Sequence, residues 1–164
     1  MGKCAFVTVG TTKFDLLIET IVQDSNVLQT LIDYLHIDKL ILQIGNSEMP
    51  SYKNLSIPIE FYQYKDSIEN DIQQADLVIS HAGAGTILQT LEANKPLLVV
   101  INEKLMNNHQ LEIAHVMEEQ GYLHYCTCST LAETLKKFPN HQFERYEKGN
   151  PLLFGQYLNQ IMIE

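Results

Sequence analysis

Along the 164 residues, short runs that are apolar at nearly every position alternate with stretches whose apolar residues recur every three or four positions. The first kind reads as strands buried on both faces: Cys4–Val9, Lys39–Ile44, Ile57–Tyr62, Asp76–Ser80 and Leu97–Ile101, with a weaker sixth near Leu123–Cys126. Pro58 stands near the start of the third, where a missing N–H is tolerated, and Pro96 opens the fifth. Between the strands, Phe14, Leu17, Ile18 and Ile21 share one helical face. Ile68, Ile72 and Ala75 repeat that spacing, as do Ile87, Leu88 and Leu91, and then Leu111, Ala114 and Met117. Strands covered on two sides and alternating with helices imply a parallel sheet, which right-handed crossovers wind in both directions. The pattern predicts an α/β fold: one domain over 1–164 built on a doubly wound, mainly parallel, Rossmann-like sheet. The polar stretch Pro139–Gly149 predicts a loop, and Asn150-Pro151 an N-cap and first-turn proline. A terminal helix over 150–163 follows, with Phe154, Tyr157, Leu158, Ile161 and Met162 on one face, docked either on the domain's own core or on a partner.

Composition narrows the setting. With 45% apolar residues, the chain is long enough to bury its own core. No apolar run approaches the roughly 18 residues that span a bilayer, and the N-terminus lacks the pattern of a secretory signal. Phe6 stands where an N-myristoylation pattern needs Ser or Thr. These features predict a soluble cytoplasmic domain. Eleven Lys and Arg, scattered, against 20 Asp and Glu leave a formal charge of −9, which argues against nucleic acid and anionic lipid as direct partners. Contact with a membrane then needs a second protein rather than direct insertion. The three cysteines, Cys4, Cys126 and Cys128, read as small half-buried residues of a reducing compartment, since Cys-x-Cys is not a zinc or redox spacing. With no HExxH, carboxylate pair or Cys–His constellation, neither a metal site nor a cofactor is expected.

The chemistry gathers at the carboxyl ends of the strands, where open α/β sheets bind ligands. Gly10-Thr11-Thr12 makes a glycine turn into a helix, which fits either a structural turn or backbone N–H groups held near a ligand. After the fourth strand, five of the seven residues Ser80–Thr86 are Ser, Ala or Gly. Gly83, Ala84, Gly85 and Thr86 thus open a helix with little side-chain bulk, a place where main-chain N–H groups and the helix dipole favour a phosphate without lysine. Tight helix–strand packing explains the same residues. His81 fits hydrogen bonding to phosphate or support of the turn. After the fifth strand, the amides of Asn107, Asn108 and Gln110 suit sugar hydroxyls, or Asn107 caps the next helix. The loop Gln63–Asp66 adds the ring of Tyr64.

Several of these motifs occur together and in order: Phe6–Thr12, Leu40–Gly45, Tyr64–Ser67, Ala75–Gly85, Val99–Gln110 and Tyr125–Thr130. Over roughly residues 3 to 135 the set closely resembles the small cytosolic subunit of the eukaryotic UDP-N-acetylglucosamine transferase of asparagine-linked glycosylation. That resemblance implies the C-terminal, donor-binding half of a GT-B glycosyltransferase. It further implies a membrane-anchored acceptor-binding partner on the cytosolic face of the endoplasmic reticulum. Together the pair would move N-acetylglucosamine from UDP-N-acetylglucosamine to dolichyl-diphosphate-N-acetylglucosamine. By similarity, Gly10, Thr11 and Thr12 with Gly83–Thr86 surround the diphosphate, Tyr64 and Lys65 flank uracil, and Gln110 meets the sugar. Where the family has a glutamate for the ribose hydroxyls this chain has Gln89, which loses the charge-assisted pair of bonds. An inverting transfer needs a general base at the acceptor hydroxyl. His81 is the sole candidate in this chain, so the base is expected from the partner. The alternative is a binding or regulatory module that keeps the fold without catalysis.

Overall fold

The computed structural model describes residues 2–53, 55–104 and 108–147. Its six strands are β1 Lys3–Thr8, β2 Ile37–Gln43, β3 Ile59–Tyr62, β4 Leu77–His81, β5 Leu97–Ile101 and β6 His124–Thr127. They form one sheet in the order β3-β2-β1-β4-β5-β6, with every neighbouring pair parallel. This is the doubly wound arrangement that the pattern predicts. All six strands stand where they are expected, β5 with the expected bounds and the others displaced by at most two residues.

Alternation along β1 shows why these runs are apolar throughout. Ala5 and Val7 point into one core with Leu17, Ile18, Leu31 and Leu131, while Cys4 and Phe6 point into the other with Ile72, Ile87, Leu91 and Ala114. Among the buried polar side chains are Thr8 and Gln43. Thr8 at the end of β1 donates its hydroxyl to the Gln43 side chain at the end of β2, so neither is left unsatisfied.

The helices are α1 Asp15–Gln23, α2 Ser25–Gln29, which continues into a π-helical turn Thr30–Tyr34, α3 Glu69–Gln74, α4 Ala84–Glu92, α5 Asn108–Glu119 and α6 Leu131–Leu135. α1, α3, α4 and α5 stand where the spacing predicts helices, but in α5 Leu111 is exposed and Ile113 joins Ala114 and Met117 on the buried face instead. The sequence reading misses α2 and α6, both of five residues. α2 is set by its cap: the Asp24 carboxylate accepts the N–H groups of Asn26 at 2.9 Å and Val27 at 3.2 Å.

The expected loop after Pro139 is irregular and mostly exposed, yet Phe143 and Tyr146 tie it to the domain. Glu144 N–H donates to Gly121 O at 2.9 Å, and Tyr146 is buried edge-on to Tyr122 at 5.6 Å. His124 packs among the rings of Phe138, His141 and Phe143 at 4.5 to 5.3 Å. Aromatic residues spaced two or three apart fold this strap onto the domain, a signal that its polar neighbours hide. The thiols are free. Burial pushes Cys126 up to about 12 and Cys128 to about 11, which leaves both protonated and unreactive at neutral pH. The terminal helix expected over 150–163 lies outside the described residues. Among the described residues no helix is long and apolar enough to cross a membrane.

Candidate functional site

From β1 the chain winds outward through β2 and β3, then returns to β4 on the other side of β1. The crevice of such a sheet opens between the loops after β1 and β4. These are the loops at Gly10 and Gly83.

The first loop is closed by its own protein. Gly10 takes φ +62°, a left-handed turn that suits glycine, and its N–H donates to Thr8 Oγ1 at 3.0 Å. Thr12 donates both N–H and hydroxyl to Val9 O, at 3.2 and 2.7 Å. Behind it stands a second glycine turn. Gly45 has φ +57°, and a Cβ there would lie 2.4 Å from Thr12 O and 2.7 Å from Gly10 O. Asn46 locks the two loops together, its N–H on Thr12 O at 3.0 Å and its side-chain amide on Thr11 O at 3.1 Å. Ser47 Oγ accepts the N–H of Phe14 at 2.7 Å, and Asp15 accepts that of Glu48 at 3.0 Å. The β2 loop thus lies against the start of α1 and takes the N–H of its N-cap Phe14, while Thr11, Thr12 and Lys13 stay exposed and the Asp15 and Leu16 N–H groups take part in no hydrogen bond among the described residues.

The second loop is open. Gly83 is the N-cap of α4, no side chain caps it, and the helical ladder starts with Ile87 N–H on Gly83 O at 3.0 Å. The N–H groups of Ala84, Gly85 and Thr86 take part in no hydrogen bond among the described residues. Gly85 is exposed, and a Cβ built on it meets nothing within 4 Å. Small residues have here left space, not filled it.

His81, the last residue of β4, wedges the two loops apart. A Cβ on Gly10 would stand 2.9 Å from its Cε1, and one on Gly83 only 2.3 Å from its Nε2. Burial pushes the imidazole pKa below its usual value, with the Thr8 backbone opposing the shift. Its Nδ1 has no well-formed hydrogen bond among the described residues. The ring is thus neutral at pH 7 and shaped by packing against both turns, which gives it a positioning role.

Further along the edge, the structure separates two residues adjacent in sequence. Tyr64 is 61% exposed, whereas the Lys65 ammonium lies 3.1 Å from Asp71 Oδ2 and 4.2 Å above the Tyr62 ring. Gln89 is half-buried on α4, about one turn beyond the open N–H groups. On the β5 side, Asn102 Oδ1 accepts Lys104 N–H at 3.1 Å, and Gln110 sits half-buried in the first turn of α5, next but one to Asn108. Asn107, the expected cap, lies outside the described residues. Gly45, Asn46 and Asp71 are contributors that the sequence reading misses, although a glycine closing a strand is a signal already used at Gly10. No group of three or more His, Cys, Asp or Glu among the described residues could hold a metal ion. A cavity of about 350 Å³ lined by Lys3, Leu77, Phe138 and Phe143 lies at the opposite, amino-terminal edge of the sheet.

Residues 4–153 match the glycosyltransferase family 28 C-terminal domain. The chain belongs to that family. Among curated relatives of this family 28 domain, a human "UDP-N-acetylglucosamine transferase subunit ALG13" is 53% identical over 131 residues, 79% of this chain and 11% of the relative. A Saccharomyces cerevisiae protein of the same name is 32% identical over 87% of this chain and 93% of its own length. This chain therefore spans about a tenth of the human relative but nearly all of the yeast one. A solution NMR structure of ALG13 superposes with a TM-score of 0.71 at 26% identity, over 98% of each chain. The resemblance carried by the motifs stands, and so does the expected fold of a GT-B donor half.

Proposed function

We propose that this family 28 domain is the donor-binding subunit of a heteromeric, inverting N-acetylglucosaminyltransferase that transfers the sugar of UDP-N-acetylglucosamine to dolichyl-diphosphate-N-acetylglucosamine. The observation that carries the reading is the trio of vacant N–H groups at the start of α4, beside the open face of Gly85 at the switch point of the sheet. Three convergent donors at a helix N-terminus suit the diphosphate of a nucleotide sugar and stabilise it as it becomes the leaving group. From β4 to β3 the edge runs three strand spacings, roughly 14 Å, so an extended nucleotide reaches from α4 to Tyr64. Gln89 then faces the ribose, and Asn108 and Gln110 the sugar. The names of the relatives support the donor and the subunit status.

No described residue is placed as a general base: His81 is packed between two turns. The acceptor-binding partner, anchored on the cytosolic face of the endoplasmic reticulum, is therefore assigned both the base and the lipid. The test is transfer of radiolabelled N-acetylglucosamine to a short-chain dolichyl-diphosphate-N-acetylglucosamine. Transfer is expected only when the membrane subunit is present, together with saturable binding of UDP-N-acetylglucosamine by this chain. Robust transfer by the chain alone contradicts the division of labour. Gln89, in place of a charged ribose ligand, favours a second reading as a non-catalytic module; absence of donor binding by both wild type and Gln89→Glu would establish it.

A further inference from the structure

Asp71 stands in the first turn of α3 and is only 5% exposed. A buried carboxylate is costly unless hydrogen-bonded and paired. Its two partners are Tyr62, whose hydroxyl donates to Oδ2, and Lys65, whose ammonium lies 3.1 Å from the same oxygen and 3.5 Å from Oδ1. The Lys65 ammonium also lies over the Tyr62 ring, so carboxylate, phenol and ammonium form a closed set. The phenol is raised well above its ordinary pKa by burial and by Asp71, which keeps it a donor.

The partners bracket Tyr64, one two residues before it and one immediately after. On the entry side the main chain is pinned as well: Ile44 N–H donates to Tyr62 O at 2.9 Å, and Gly45 N–H to Gln63 O at 3.0 Å. Between these tethers Tyr64 projects with 61% of its surface in solvent. A loop fixed at both ends holds its ring without the ordering cost that a free loop would incur on binding.

We infer that Asp71 is a positioning residue for nucleotide recognition: through Tyr62 and Lys65 it sets the loop that presents Tyr64 to the donor's base. This rests on the donor reading above. Lys65 accordingly acts from behind the loop and not beside the base.

The test is calorimetry on the full chain with two probes, UDP and inorganic pyrophosphate. Asp71→Asn is expected to raise the Kd for UDP about tenfold or more. The pyrophosphate Kd should hold within about twofold, because the groups that Asp71 holds belong to the loop after β3 and not to the start of α4. Tyr64→Ala should cause a similar loss for UDP, and adding Asp71→Asn to it should cost nothing further, since both act through one ring. Losses that multiply, an equal loss for pyrophosphate, or an unchanged Asp71→Asn would overturn the inference. Should Asp71→Asn fail to fold, Tyr62→Phe and Lys65→Met carry the same cycle from the exposed side. Wild type that binds neither probe defeats the donor reading and this inference with it. Wild type that binds pyrophosphate as tightly as UDP defeats the inference alone.

Discussion

Replacing Gly85 with alanine should make the protein more stable and a poorer binder at once. Gly85 is the second residue of α4, its φ is not left-handed, and a Cβ there meets no atom within 4 Å. Alanine in a helix is worth about 0.5 to 1 kcal/mol over glycine when the site is unstrained. For a domain of this size that corresponds to a rise in Tm of about 1 to 4 °C. The same methyl group projects over the vacant N–H groups that are assigned to the diphosphate. Loss of one charge-assisted hydrogen bond costs about 1.5 to 3 kcal/mol, or roughly ten- to a hundredfold in Kd. Thermal unfolding and calorimetry with UDP-N-acetylglucosamine measure the two effects on one sample, and Gly85→Leu should deepen the binding loss. Wild-type affinity in both variants would show that this face meets no donor. A fall in Tm for Gly85→Ala would show that the space is not open. Gly83 offers no such clean test, because its Cβ would lie 2.3 Å from His81 Nε2 and unsettle the wedge itself.

Gln89→Glu should tighten the donor by about 1 to 2 kcal/mol, several-fold to roughly thirtyfold, by restoring a charge-assisted pair of bonds to the ribose. Equal titrations of UDP-N-acetylglucosamine into both forms would remove that side chain from the ribose site. Stability should also fall on acidification. Burial lowers the pKa of both His81 and His124 below the usual 6.5, with His141 adding to the shift at His124. Below pH 6.5 the unfolded chain then binds more protons than the native one, so stability is level above that pH and declines beneath it. Urea unfolding between pH 7.5 and 5.5 checks the sign, and His124→Phe should remove part of the decline; a stability that rises towards pH 5.5 refutes it.

Which parts of this were readable in the chain follows from how local their causes are. Strands buried on both faces declare themselves as apolar runs, and the glycines after β1 and β4 marked the switch point before any coordinates. The short helices α2 and α6 were not readable, because five residues complete barely one hydrophobic period. The strap around Phe143 and Tyr146 was hidden by its polar neighbours. The two helix starts looked equivalent, since Gly10-Thr11-Thr12 and Gly83-Ala84-Gly85 both read as small-residue turns. What separates them is Asn46, Ser47 and Glu48, which arrive from a neighbouring strand more than thirty residues away in sequence. The ion pair of Lys65 with Asp71 was not readable for the same kind of reason: it spans a turn that no spacing rule describes.

The distribution of acidic residues explains how a chain of net charge −9 would accommodate the proposed diphosphate. Carboxylates stand in the first turns of α1, at Asp15, and of α3, at Glu69 and Asp71, where they complement the helix dipole internally. The first turns of α4 and α5 carry none. Those are the helices that follow β4 and β5, the strand ends where the diphosphate and sugar are placed. A carboxylate at the N-cap position, where Gly83 stands, would accept the same N–H groups from within and stabilise α4, as Asp24 does for α2. Its absence leaves the positive end of that one dipole exposed on an otherwise anionic surface. At α1 the Asp15 carboxylate and the β2 loop lie against the helix start. On the proposed reading the diphosphate therefore sits on the α4 side of the switch point, where His81 packs against both turns.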